Sequence, residues 1–242
     1  MAAASDLSPI EKQMKALVPD GTARFVFGSS GQLASQIRAG APYDVYMSAS
    51  FDFVRELEKE GRLVVGTALA YARGRLALYS KDGKIAGLDK LAGAAAISIA
   101  NPAHAPYGVA AKQALQGRPD WAAISGKVVY AENVRQALQF AESGNADAAL
   151  VAWSLVKGKA GAVLLPEPLH APIVQGVGVL RGKAADAERV ARAMAFVQAL
   201  MSKAGQAMLS EAGFEPVVPG RSVEPAQSAV KVLPPPKRAR RR

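Results

Sequence analysis

The sequence predicts an α/β fold with mixed, mostly parallel sheets flanked by helices, and three observations carry that expectation. Short β-branched or apolar runs alternate with segments of helical period up to about residue 212. Small polar or glycine-containing turns recur after a strand and before a helix. With 242 residues, half of them apolar, the chain can bury the core of one large domain or of two smaller lobes.

The elements follow in order. "MAAASDL" leads into Ser8-Pro9-Ile10-Glu11, which has the form of a capping box with proline at the first helical position. That predicts a helix over 9–17, with Ser5 as an alternative start one turn earlier. "RFVF" (24–27) reads as a strand and "GSSG" as the turn into a helix over 31–38. A strand at 44–48 then precedes a helix at 51–60. Strands at 75–80 and 95–100 lead to a helix at 109–115, and a strand at 127–131 leads to a helix at 134–143. Strands at 148–152, 162–166 and 174–180 follow, and a long final helix starts at 186 and ends against Gly213.

Composition removes several classes of function. No apolar run reaches the roughly 18 residues needed to cross a bilayer, and the opening residues have neither a charged n-region nor a long h-region. No export signal is therefore expected in the chain as given. The absence of cysteine fits an oxidising compartment. Of the net charge of +10, six units fall in residues 221–242, where seven Lys or Arg face Glu224 alone. "VLPPPKRARRR" has no apolar periodicity, so 219–242 is expected to be a disordered basic tail, either solvated or in contact with a polyanion. The Gly-Lys pairs at Gly83, Gly126, Gly158 and Gly182 lack the phosphate-loop pattern, and "GVGVLRG" misses dinucleotide-binding spacing. His104 and His170 have no nearby metal-ligating partners in sequence, and no nucleophile elbow is present. No catalytic activity and no cofactor are expected.

Four turns could expose free amides at a helix start: "AAAS", "GSSG", "NPAHAPYG" and "AEN". Each taken singly is an ordinary helix cap; Ser30 alone could be no more than that, and Tyr107 could simply pack on Pro106. Converging beyond the carboxyl ends of the strands, they would make an anion site. Hydroxyls from Ser5, Ser30 and Tyr107 with an amide near Val134 would all be neutral donors. A phosphate-ester site more often recruits Arg or Lys, whereas neutral donors suit a fully deprotonated tetrahedral dianion.

Read in order, "AAASDL", "FGSSGQLASQIRAGAPYDVYMSA", "YARGRLALYS", "IANPAHAPYGVAAKQAL", "AENVRQALQFAESGNADAALVAWS", "LPEPLHAPIVQGVGVL" and "AGFEP" resemble the periplasmic molybdate-binding proteins of ABC importers. The resemblance runs from about residue 2 to residue 218. It implies a two-lobed periplasmic-binding-protein fold of type II, with lobe I at 1–75 and 180–218 and lobe II at 76–179. It also implies a periplasmic, monomeric carrier that closes on molybdate or tungstate and hands it to a membrane permease. Carried over residue by residue, the ligand positions are Ser5, Ser30, Tyr107 and the backbone N–H of Val134. Asp6 adds its amide, with its carboxylate expected to point away. The molybdenum enters as an oxyanion held through its oxygens by these same residues, with no direct metal ligand. Where some relatives carry a ligating Tyr, this chain has Ala152, and Tyr107 is expected to substitute. Because only Met1 precedes the alanines, the family's first strand is expected to be truncated, leaving its neighbours unpaired. Two alternatives share the fold: a receptor for another tetrahedral oxyanion such as sulfate, and an anion-sensing regulatory module whose basic tail binds nucleic acid. The lack of a helix-turn-helix segment weighs against the second.

Overall fold

Three alanines form an interior strand of the first sheet. The computed structural model describes residues 1–18, 22–182 and 187–217; the expected basic tail and the expected start of the last helix at 186 lie outside them. β1 (Ala2–Ala4) runs parallel to β2 (Val26–Gly28) on one side and β3 (Val45–Ser48) on the other. The strand is short, as expected, yet its neighbours are not left unpaired. The Met1 ammonium donates to the Arg24 carbonyl at 2.7 Å, and the Met1 carbonyl accepts from the Val26 amide at 2.9 Å, extending the ladder to the first residue. Alanine favours helix by propensity, but both faces of β1 are covered. Ala2 packs with Tyr46, Leu33 and Leu57, and Ala3 with Met47, Leu7 and Phe196. Small side chains let both layers approach.

β4 (Leu69–Gly74), which the sequence reading misses, forms the edge of this sheet, and β10 (Ile173–Val179) lies between β3 and β4, antiparallel to both. The second sheet holds β5 (Leu76–Tyr79), β6 (Ile97–Ala100), β7 (Val128–Ala131), β8 (Ala148–Ala152) and β9 (Ala162–Leu164) in the order β7-β6-β8-β5-β9. The two sheets share one plan: three parallel strands, then two added antiparallel. Parallel and antiparallel pairs are equal in number among these strands, and in each sheet four of the five strands run in one direction, as the mixed, mostly parallel expectation has it. The parallel trio is β-α-β in origin, while the antiparallel strands are those next to the crossings between lobes.

Those crossings also correct a boundary. The chain leaves lobe I at Arg75, between β4 and β5, and returns between β9 and β10. The expected return at 180 is too late, because β10 is hydrogen-bonded into the lobe I sheet along its length. Gly176 and Gly178 on β10 lie against Phe51, Val54 and Leu63, so "VQGVGVL" is a strand packed closely under a lobe I helix rather than a linker.

The helices are α1 (Glu11–Lys15), α2 (Ser30–Arg38), α3 (Phe51–Lys59), α4 (Pro106–Gln116), α5 (Trp121–Ile124), α6 (Val134–Ser143), α7 (Trp153–Val156), α8 (Ala187–Met201) and α9 (Lys203–Glu211). A 3-10 turn over Ser5–Ile10 precedes α1, so the helical path begins at Ser5, and Ser8 makes no capping hydrogen bond. The last helix is two, because Ser202 adopts an extended conformation and its hydroxyl oxygen accepts the Gly205 amide at 3.2 Å. Phe196 on α8 is fully buried against the lobe I sheet, with Phe25 at 6.1 Å between ring centroids. Phe196→Ala should cost about 3–5 kcal/mol. Urea denaturation reads this as a lower midpoint at an unchanged slope; a loss below about 1 kcal/mol would show that the site collapses around the deletion.

Candidate functional site

Four helix starts meet between the lobes. Ser5 and Asp6 follow β1, Ser29 and Ser30 follow β2, Pro106 and Tyr107 follow β6, and Val134 follows β7, all at carboxyl ends of strands. Together they line one cavity, which offers about 10 Å³ to the centre of a water-sized sphere. A larger groove of about 430 Å³ past Phe51, Pro102, Val109 and Ile173 has mostly apolar walls. We take the small cavity as the site, because amide and hydroxyl donors converge there.

The donors are left over by local structure. Ser30 is 1% exposed, and its Oγ accepts the Ala49 amide at 2.9 Å, which leaves its own hydrogen free to donate. Its carbonyl accepts the Tyr46 hydroxyl at 2.7 Å, which anchors the turn from below. The buried Ser5 hydroxyl makes no hydrogen bond to protein among the described residues. At the start of α6, Asn133 Oδ1 accepts the amides of Arg135 and Gln136 at 3.1 and 3.0 Å. The first amide of the helix, Val134, is the one the cap does not reach, and Val134 lines the cavity. The expected positions Ser5, Asp6, Ser30, Tyr107 and Val134 thus come together.

Two of them differ in detail from expectation. Tyr107 lines the cavity with a buried ring, but its hydroxyl accepts from Gln175 Nε2 at 3.3 Å and lies against Gly74, where any Cβ would overlap it. The Asp6 carboxylate points neither to solvent nor to a cation. It is fully buried, Oδ2 accepts Gln175 Nε2 at 2.5 Å, and Oδ1 has no partner. Burial pushes the Asp6 pKa up to about 6, and hydrogen bonds from Gln175 and Tyr107 offset part of the rise. Burial, and then the Asp6 charge, push the Tyr71 and Tyr107 hydroxyls well above their ordinary values. Ala152 is buried and paired with Leu76, away from the cavity lining. Its neighbour Ser154 instead donates to the Asp6 carbonyl at 2.8 Å.

Sequence reasoning missed the residues that join the lobes. The Gly31 amide donates to the His104 carbonyl at 2.8 Å, and Ser29 Oγ lies 2.7 Å from His104 Nδ1. A Cβ on Gly31 would sit 2.9 Å from that carbonyl oxygen, so glycine is required for the close approach. Lys157 of lobe II reaches the Glu211 carbonyl at the end of α9 in lobe I, where the helix dipole favours a cation. Both "GSSG" and "NPAHAPYG" were visible as turns; their mutual contact was not. Among the described residues no group of three or more His, Cys, Asp or Glu could hold a metal cation. The arrangement can bind an anion and hold two lobes around it.

A two-lobed frame, crossed twice by the chain and lined at its cleft with donors from both lobes, defines a solute-binding protein. The chain belongs to the bacterial extracellular solute-binding proteins, whose family model matches residues 2–215. It is 34% identical over 198 residues to the molybdate-binding protein ModA of Rhodobacter capsulatus, covering 77% of each chain. The Azotobacter vinelandii periplasmic molybdate-binding protein has the same fold, with a TM-score of 0.75 at 29% identity over 90% of this chain and 98% of its own. The sulfate-binding protein SubI of Mycobacterium tuberculosis shares the fold at a TM-score of 0.68 and 17% identity, over 90% of this chain and 86% of its own.

The buried carboxyl gives a pH prediction. A raised folded-state pKa means that the folded protein binds the Asp6 proton more tightly than the unfolded chain. The Asp6 contribution is therefore most favourable below about pH 4 and is lost as pH rises through about 6. At neutral pH the buried charge costs about 3 kcal/mol. Asp6→Asn should be more stable than the parent above pH 6 by up to that amount, with the gap closing towards pH 4. Urea denaturation across that range checks it, and a gap independent of pH would contradict the assignment.

Proposed function

We propose that the protein captures molybdate, and tungstate with it, between its lobes in the periplasm and delivers it unchanged to the membrane permease of an ABC importer. The observation that carries this reading is the cavity itself: donors from both lobes, and no Lys or Arg in its lining. A tetrahedral dianion presents acceptors in four directions. Ser5, Ser30 and the Val134 amide meet them with neutral donors, so no salt bridge is needed to offset desolvation. The relatives named as molybdate-binding supply the choice of anion. Sulfate has the same charge and shape, so discrimination rests on cavity size and the reach between lobes.

Closure follows from where the donors sit. Ser5 and Ser30 belong to lobe I, Tyr107 and Val134 to lobe II, so the full set exists only when the lobes meet. The anion contributes binding energy in that state alone and shifts the population towards it. The carrier needs no chemical step and no cofactor, and the cleft has no role for the basic tail.

Calorimetric titration with molybdate, tungstate, sulfate and phosphate tests the proposal. Molybdate and tungstate should bind far more tightly than the other two. Folded protein that ignores molybdate, or binds sulfate equally well, overturns it in favour of another oxyanion. Ser30→Ala removes one donor to a charged oxygen and the acceptor of the Ala49 amide, and should weaken molybdate binding about ten- to hundredfold.

A further inference from the structure

A buried carboxyl group on a residue that lines an anion cavity is out of place unless its charge is controlled. Asp6 is next to Ser5 on the 3-10 turn after β1, and it lines the cavity while fully buried. Its surroundings come from four other elements. Gln175 on β10 donates to Oδ2; Tyr107 on α4 puts its hydroxyl beside the carboxyl; Ser154 on α7 bonds the Asp6 carbonyl. Tyr71 on β4 donates to Gln175 Oε1 at 2.7 Å, which fixes the Gln175 amide with its NH2 towards Asp6 and Tyr107. Among the described residues no Lys, Arg or His offsets the carboxylate, and Oδ1 has no hydrogen-bond partner.

We infer that Asp6 takes up one proton from solvent when a tetrahedral dianion binds, so that the acid form positions the anion by donating an O–H bond to it. The inference rests on the oxyanion reading of the cavity. A carboxylate and a dianion sharing one desolvated space repel, and the weaker acid of the pair retains a proton. One O–H bond forms on Asp6, the O–H or N–H bond of the hydronium or buffer acid that supplies the proton breaks, its conjugate base stays in solution, and no bond of the anion changes. Gln175 satisfies Oδ2 in either state, so only the unpartnered Oδ1 needs to change role. Burial has already lifted the Asp6 pKa to about 6, which places that proton within reach near neutrality. An anion that brings its own hydrogen, such as hydrogenphosphate, would need Asp6 as the carboxylate acceptor and would bind without proton uptake. Asp6 thereby discriminates between fully deprotonated and protonated oxyanions.

The test is calorimetric titration of the full chain with molybdate at about pH 7.5 in buffers of different ionisation enthalpy, where the slope counts protons. The parent should take up close to one proton per anion and lose about tenfold in affinity per pH unit above about pH 7. Asp6→Asn should bind with no proton uptake and an affinity that is flat with pH. An infrared difference spectrum of the parent gives a reading independent of any variant: a protonated-carboxyl band should appear on binding. Binding without proton uptake, or without that band, overturns the inference and leaves the oxyanion reading standing. Uptake that persists in Asp6→Asn assigns the proton to another group and also overturns it. Folded parent that does not bind molybdate overturns the underlying reading instead.

Discussion

The side-chain amide of Gln175 is the point at which the two lobes are tied together. Gln175 lies on β10, the strand that brings the chain back into lobe I, and its amide joins Tyr71, Asp6 and Tyr107 in one buried network. Those partners come from the strand entering the first crossing, from the turn after β1, and from the first helix start of lobe II. A buried amide with both ends engaged is costly to leave unsatisfied, so the network holds one arrangement of cleft floor and crossing. Gly74, at the first crossing, leaves room for the Tyr107 hydroxyl by having no side chain.

Everything at the cleft is arranged around that floor. Both sheets carry their parallel strands so that the carboxyl ends point to the interlobe space, where helices begin and first-turn amides remain unbonded. Other partners take some of these amides: Asn133 takes two locally at α6, and the His104 carbonyl takes Gly31 of α2 across the cleft. What remains along the cavity is Val134 with the hydroxyls of Ser5 and Ser30. The Lys157 contact with the end of α9 lies apart from it and joins the same two lobes by a charge on a helix terminus.

The parts of the fold legible in the sequence are those set by neighbours along the chain. "GSSG" and "AEN" announce helix starts by residue type; the Asn133 oxygen does reach amides two and three residues on, whereas the serines of "GSSG" make no side-chain cap. The runs 44–48, 75–80, 95–100 and 148–152 announce strands because both sheet faces are covered, so their paired positions are buried and mostly apolar. What escaped is set by partners distant in sequence. Ala2–Ala4 has helical propensity and is a strand because the sheet closes around it. "LAYARG" lacks a β-branched residue and is a strand because β10 pairs with it. The break at Ser202 is hidden because the apolar period runs through it.

The same division applies to the site. Sequence alone determined that hydroxyls and amides would stand at four helix starts, and that no metal-ligand or nucleophile pattern accompanied them, because both are matters of residue type and short spacing. Only the tertiary structure decided that Tyr107 turns its hydroxyl to Gln175 and that Asp6 is buried without a cation. It also decided that the return to lobe I comes before β10 and that Gly31 meets His104 across the cleft. Each of these joins residues about 70 or more positions apart, or depends on how far burial removes a charge from water, and neither quantity is written in a local pattern.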